Sequence, residues 1–468
     1  MNKIRYKWFL LAVIALLLQT SCDKYLNVQP KGFRLLNTLE DFELWLESEF
    51  LQSQVPIELD YLGDTRDNHL LANPPAMGRD WLYTWQPQVN EDPTATPVLW
   101  AHLYKVIYYY NTVILEVESA STGTLQQKLA LKAEAQIGRA FTYLQLVNLY
   151  GKQYNPATAS QDLAVPFVVT NDLNAQTPNR STVEEIYNYI IDDLTEALPH
   201  LPKNNDSNRF RGSVAAAYSI LARTYLYMGK HSLAATNAQL ALNNGPSAIV
   251  DYSTMANASF VPQLKRRGDA IYGRYSSGRG ASAFATTEFL KSYNTQDKRL
   301  NFYHSIVPVM PQLGGYVFAV RGQVMYWPGG IIMPPATAVY PNVGTSVAEM
   351  RLILAEAAAF DNNLPEACNQ LHEVRKCRFA PAAYTRFDSN DQEEVITTVL
   401  KERRFEFPFN GMRWFDMRRL AAIGRMESVN RIDKNGEVAA TLEPDSPRYT
   451  LQIPVQVMEF NPHWEQNP

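Results

Sequence analysis

The chain has 468 residues, 46% hydrophobic and 12% aromatic, with 43 basic side chains against 47 acidic ones and a formal net charge of -4. That near-neutral balance excludes a nucleic-acid-binding surface as the main activity, and the apolar content describes a globular chain with ample material for a core. The length exceeds what one core usually supports, so the chain must split into domains or stack repeated units.

The first element in chain order is a leader. Lys3, Arg5 and Lys7 precede an almost uninterrupted apolar run from Trp8 to Leu18, the layout of a secretory signal and too short to span a bilayer. Thr20 and Ser21 are small, as a lipoprotein signal peptidase requires before the cysteine, and the stretch "SCDKYLNVQPKG" is polar, as a tether should be. Cys22 is therefore expected to be the lipid attachment point and to keep no thiol, with 1–21 as signal peptide and 22–36 as tether. Gln19 departs from the usual lipobox, since Leu18 stands four residues before the cysteine rather than three. Cys368 and Cys377 fall in what reads as one helix, roughly 13 Å apart along its axis and on opposite faces, so they cannot pair. With no CxxC and no Cys/His grouping they read as small buried hydrophobes, and neither a disulfide framework nor a zinc site is supported.

Helices are expected at 38–53 and at 97–121, the second with one apolar stripe of Leu99, Leu103, Val106, Ile107, Tyr110, Val113, Ile114 and Val117. "LKAEAQIGRAFTYLQLVNLYG" is an amphipathic helix whose partner, after a loop, is "STVEEIYNYIIDDLTEALPHLP", capped by Ser181 or Thr182. In "YSILARTYLYMGKHSLAATNAQLAL" the residues Ala222, Tyr225, Gly229, Ala234, Ala238 and Ala241 stand at the offsets of a tetratricopeptide helix pair. The same ruler fits Ala355, Ala358, Asn362, Ala367, Leu371 and Val374, with Pro365 in the first turn of the second helix. A fourth pair is expected from about Gln392 to Leu420. The reading is a mainly α fold in which tetratricopeptide-like helix pairs form a scaffold at about 37–55, 97–244 and 347–425, with a tail at 426–468. The loop-rich insertions at about 56–96 and 245–346 are rich in Gly, Pro and aromatics, and loops on a rigid scaffold are where binding residues concentrate.

At this point the residues carry a resemblance. The chain resembles the SusD/RagB-type nutrient-binding lipoproteins through most of its length. "WAHLYKVIYYYNTVI" has the family's spacing at Trp100, Tyr104 and Asn111, and the next helix matches at Arg139, Ala140, Phe141, Tyr150 and Gly151. "EMRLILAEAAA" matches at Glu349 and Arg351, and "LKERRFEFPFNGMRWFDMRRL" carries the most specific signature at Glu402, Arg403, Gly411, Arg413, Trp414, Asp416 and Arg419. "YTLQIPVQVMEFNP" sets Pro454, Asn461 and Pro462 where the family has its final strand and tail, while Asn410 departs from the Glu that usually precedes the glycine. The resemblance implies a single SusD-like domain over 37–468, held at the cell surface on the outer membrane by its lipid. It also implies a partner, a TonB-dependent transporter of the SusC type, to which captured nutrient is handed.

The charges of the signature have a structural reading of their own, because Arg403, Arg404, Arg413, Arg418 and Arg419 alternate with Glu402, Glu406 and Asp416 at helical pairing distances. An enzyme finds little support. Gly278, Gly280 and Ala283 form a GxGxxA without a βαβ setting, no GxSxG occurs, and His372–Glu373 lacks a second zincin histidine. No catalytic residue, metal ligand or cofactor is expected, although a carboxylate pair for glycoside hydrolysis leaves no reliable trace in sequence spacing. A sugar ring needs exposed Trp or Tyr as a platform beside polar partners. The candidates are Asp67, Asn68, Trp81, Tyr83 and Trp85 in the first loop region and Tyr275, Tyr303, Tyr316, Tyr326 and Trp327 in the second. A glycan is the leading ligand, with peptide or glycopeptide behind it, and the contrasting class is a helical-repeat envelope scaffold that transports nothing.

Overall fold

A computed structural model describes residues 36–68, 71–76, 78–89, 91–256, 260–277, 284–303, 305–307, 319–320, 323–324, 331–333 and 342–468. Cys22 with the leader and the tether up to residue 35, the GxGxxA stretch, Tyr316, Tyr326 and Trp327 lie outside the described residues, and Tyr303 ends a short helix, Arg299–Tyr303.

Helix α1 (Leu39–Leu46) opens on a Thr38–Asp41 capping box and ends at Glu47, so the helix expected over 38–53 is broken, and a single turn, Glu49–Gln52, follows. Helix α2 (Val98–Glu116) buries Leu99, Leu103, Val106, Ile107, Tyr110 and Val113 and passes into a 3-10 turn at Val117–Ser119. Helix α3 (Leu125–Tyr150) starts on a Thr124–Gln127 capping box and is buried at every residue from Ala133 to Tyr150. It is the central post of the largest hydrophobic cluster. Polar residues inside it must therefore find partners within the protein. Arg139 does so with two bonds to Asp193, at 2.8 and 2.7 Å, and one to Asn111 at 2.8 Å. Helix α4 (Val183–Ala197), which carries Asp193, is capped by Thr182 with Glu185 and packs along α3.

Helices α5 (Val214–Tyr227) and α6 (His231–Asn244) form the pair read from the alanine spacing, with Ala222, Ala234, Ala238 and Ala241 all fully buried. Helices α7 (Val347–Phe360) and α8 (Leu364–Arg375) repeat the arrangement, with Pro365 in the first turn of α8, and α7 packs on α6 so that the two pairs stack. The turn residues are Gly229 at φ 71° and Asn362 at φ 60°, both left-handed, a conformation that glycine adopts freely and asparagine more readily than most. Arg223 binds Glu349 at 2.7 and 2.6 Å and fastens α5 to α7 from within.

The fourth pair differs from expectation. Helix α9 (Gln392–Glu406) lays Val395, Ile396 and Val399 into a cluster with Leu352, Ala355 and Leu371 of the α7–α8 pair, while α10 (Met412–Ala421) packs on the turn Leu59–Leu62. The two helices meet through charge, with Arg403 on Asp416 at 2.9 Å, because each spends its apolar face elsewhere. Cys377 lies beyond α8 rather than within it, and both described cysteines are free. The final strand expected around 449–462 is instead an extended segment leading into helix α11 (Val455–Phe460), with Pro454 as its N-cap. An antiparallel hairpin, Val429–Ile432 with Val438–Leu442, precedes it.

Small two-stranded ladders knit the loop regions to each other. Val55–Pro56 pairs with Ser276–Ser277, and Arg66–Asp67 pairs with Phe284–Ala285. The two stretches picked out as loop-rich, far apart in sequence, thus share one face.

Candidate functional site

That face is held from below by buried charge. Arg431, in the hairpin, donates to the carbonyls of Tyr83 (2.9 Å), Arg66 (3.1 Å), Tyr61 (3.0 Å), Leu62 (3.4 Å) and Gly63 (2.8 Å). Its guanidinium lies over the rings of Tyr83 and Trp85, 3.9 and 4.3 Å from their centroids, and burial lowers its pKa. Asp64 accepts two bonds from Arg413, both 2.7 Å, and faces Arg404 at 3.4 Å. Burial by itself raises the Asp64 pKa, but Arg413 and then Arg404 outweigh it and hold the carboxyl well below the ordinary range. Asp60 accepts the Gly411 amide at 2.8 Å, and Asn410 turns its side chain back onto the Met412 amide at 3.1 Å. The second loop region is anchored alike: Arg299 meets Asp297, Glu402 and Glu406 at 2.6, 2.6 and 3.0 Å, and Arg378 meets Glu406 at 2.5 Å. Four of the signature charges, Glu402, Arg404, Glu406 and Arg413, are therefore clamps between scaffold and loops, while Arg403, Asp416, Arg418 and Arg419 bind within the scaffold.

The candidates read from sequence divide on burial. Tyr83 is 1% exposed and donates to Asp67, itself 4% exposed, at 3.3 Å. Trp85 is 4% exposed, donates to the Leu62 carbonyl at 3.0 Å and has a left-handed backbone, φ 53°. With their surfaces taken up by the protein's own packing, Asp67, Tyr83 and Trp85 offer no platform to a sugar, which corrects their assignment as ligand contacts. Trp81 is half-buried, with its Nε1 donated to the Pro75 carbonyl at 3.1 Å, and Asn68 binds Asp80 at 2.7 Å. Tyr275 is half-buried beside Phe210, with ring centroids 5.9 Å apart, and reaches Glu49 at 3.5 Å. These three keep accessible surface.

A concavity that the sequence reading missed lies beside the Gly78–Tyr83 helix. It is a cleft of about 260 Å³ between residues 87–98 and residues 451–456, floored by Leu82, Leu99 and Tyr150. Its walls are tied together by Gln88, which donates to the Gln452 side chain at 3.0 Å, and by Gln456, which donates to the Thr94 carbonyl at 3.4 Å. Arg79 and Glu58, 3.3 Å apart, stand at the same cleft with Asp92. No motif marks these residues; only the return of the tail against the start of α2 brings them together. Among the described residues no group of His, Cys, Asp and Glu could hold a metal ion, and no helix is long and apolar enough to cross a membrane.

A scaffold of stacked helix pairs with loops clamped onto it by buried arginines defines a helical-repeat protein. Comparison with known families names the class. The chain belongs to the SusD/RagB family: residues 57–226 match a SusD-like profile described as "Starch-binding associating with outer membrane", and residues 347–468 match the SusD family profile. SusD-like protein P2 of Formosa agariphila is 24% identical over 379 residues, 71% of this chain and 73% of that protein. SusD-like protein P38 of the same organism is 22% identical over 492 residues, 91% of this chain and 93% of that protein. Among solved structures, a SusD superfamily protein from Bacteroides thetaiotaomicron superposes with a TM-score of 0.73 at 20% identity, covering 92% of this chain and all, 100%, of that one. A putative sugar binding protein from Bacteroides vulgatus gives 0.70 at 21% identity, covering 93% and 99%.

Proposed function

We propose that the protein is a carbohydrate-binding lipoprotein of the outer membrane, anchored through Cys22 as a tethered single domain over 37–468. It captures a glycan or oligosaccharide at the cell surface and delivers it to a TonB-dependent transporter of the SusC type, without catalysis. The observation that carries this reading is the match of residues 57–226 to a profile described as starch-binding and outer-membrane-associated, a stretch that includes the first loop region. Asn68, Trp81 and Tyr275 are the contacts proposed among the described residues, with Tyr316, Tyr326 and Trp327 proposed beyond them. Stacking on a half-buried indole contributes on the order of 1 to 3 kcal/mol. Calorimetric titration with a panel of oligosaccharides, with and without a chelator, tests the reading. Saturable binding that survives the chelator, returns the sugar intact and weakens at least tenfold in Trp81→Ala is expected. Hydrolysis of the sugar, or binding only of peptides, would overturn it.

A further inference from the structure

The cleft between residues 87–98 and 451–456 has a chemistry of its own. Helix α2 begins there, with Pro97 as an N-cap that supplies no side-chain acceptor. The amides of Val98, Leu99 and Trp100 belong to the first turn and have no intrahelical acceptor, and they form the positive end of the helix dipole. Tyr150 lines the same cleft at 3% exposure, and among the described residues its hydroxyl has no hydrogen-bond partner. Burial raises the pKa of this phenol, so it stays a neutral donor. The phenol lines the cleft with no partner of its own among the described residues, and together with the open helix start it offers its hydrogen to an acceptor.

The remaining walls decide which acceptor. Leu82, Val89, Leu99, Leu451 and Val455 are apolar. Arg79 is already engaged by Glu58, and Asp92 adds a second carboxylate, so a full negative charge is opposed. A plain sugar hydroxyl brings a donor hydrogen as well as lone pairs and gains nothing from the apolar walls. An acetamido group presents a strong neutral carbonyl acceptor together with a methyl group. We propose that this cleft is a subsite for an N-acetylated sugar residue, its carbonyl accepting from the start of α2 and from Tyr150 and its methyl lying among the leucines and valines. The proposal rests on the carbohydrate-binding reading above and narrows its substrate class.

Titration of the full chain with tri-N-acetylchitotriose, cellotriose, maltotriose and an N-acetylated, C-amidated trialanine tests it. Tri-N-acetylchitotriose should bind at least tenfold more tightly than the other two trisaccharides, and saturation-transfer NMR should find its acetyl methyls the most closely held protons. Tyr150→Phe, which keeps the ring, should remove most of that preference and leave the affinity for the non-acetylated sugars unchanged. Val98→Pro deletes one amide donor at a position where helices accept proline and should reduce the preference independently. Equal affinity for the trisaccharides, an undiminished preference in both variants, or tighter binding of the peptide would overturn the subsite alone. Failure of every sugar to bind would overturn the carbohydrate reading and the subsite with it.

Discussion

The guanidinium of Arg431 reaches the carbonyls of Tyr61, Leu62, Gly63, Arg66 and Tyr83. A planar fork of five donors suits that task, whereas lysine offers a point charge with three. Arg431→Lys is expected to lower stability by roughly 2 kcal/mol or more and to speed amide exchange selectively around residues 61–66 and 83–85 while α3 stays protected; unchanged exchange there would show that other donors serve those carbonyls. The Asp64 carboxylate makes a second prediction. Its folded pKa lies below the unfolded value, so its pairing with Arg413 stabilises the fold above the unfolded pKa, about 3.9, and that contribution is lost as pH falls. The melting-temperature gap between wild type and Asp64→Asn should hold steady from neutral pH to about 5 and narrow below about 4; a gap that stays constant into strong acid would remove ionised Asp64 from the account. Such roles were only half legible. The signature's opposite charges announced pairing, but Arg431 pairs with carbonyls, which leave no mark in sequence. Trp81 and Trp85 read alike as loop aromatics, yet the left-handed backbone at Trp85 turns that ring inward against Arg431.

Helix pairing shows the opposite balance. The spacing of Ala222 and Ala234 places them at the close crossing of α5 on α6, and both are fully buried. Leucine at either position has nowhere to go, and overpacking of this kind costs about 1 to 3 kcal/mol. Thermal unfolding of Ala222→Leu and Ala234→Leu should report that loss, and an unchanged melting temperature would mean the helices are free to separate. The ruler worked because a tetratricopeptide pair is local: small residues, a left-handed turn residue and the next helix follow within a few dozen positions. The fourth pair had no such spacing to go by: α9 and α10, adjacent in sequence, are buried against distant partners. At 449–462 the resemblance implies a strand, whereas Pro454 caps a helix. The cleft at the start of α2 was invisible for the same reason, since half of it arrives with that tail.

Across the whole molecule, the scaffold and the face it carries depend on different parts of the chain, and the proposed attachment on a third. Cys22→Ala is expected to move the protein from the outer-membrane fraction to the soluble one without altering its melting temperature; variant protein still found in the outer membrane would sink lipidation as the attachment. The family membership was legible because its signature is a buried charge network within the scaffold and between scaffold and loops, whereas ligand identity was not, since that network carries none of the proposed ligand-contact residues. The long-range ladders that join Val55 to Ser276 and Arg66 to Ala285 also bear on how the molecule assembles. Closing so long a loop costs entropy that short helix hairpins do not incur. The hairpins are therefore expected to form early, and the loop face is completed last, when residues 345 onward bring Glu402, Glu406 and Arg413 to close it. For the lipoprotein proposed above, the interval before that closure is the time of greatest exposure to proteases.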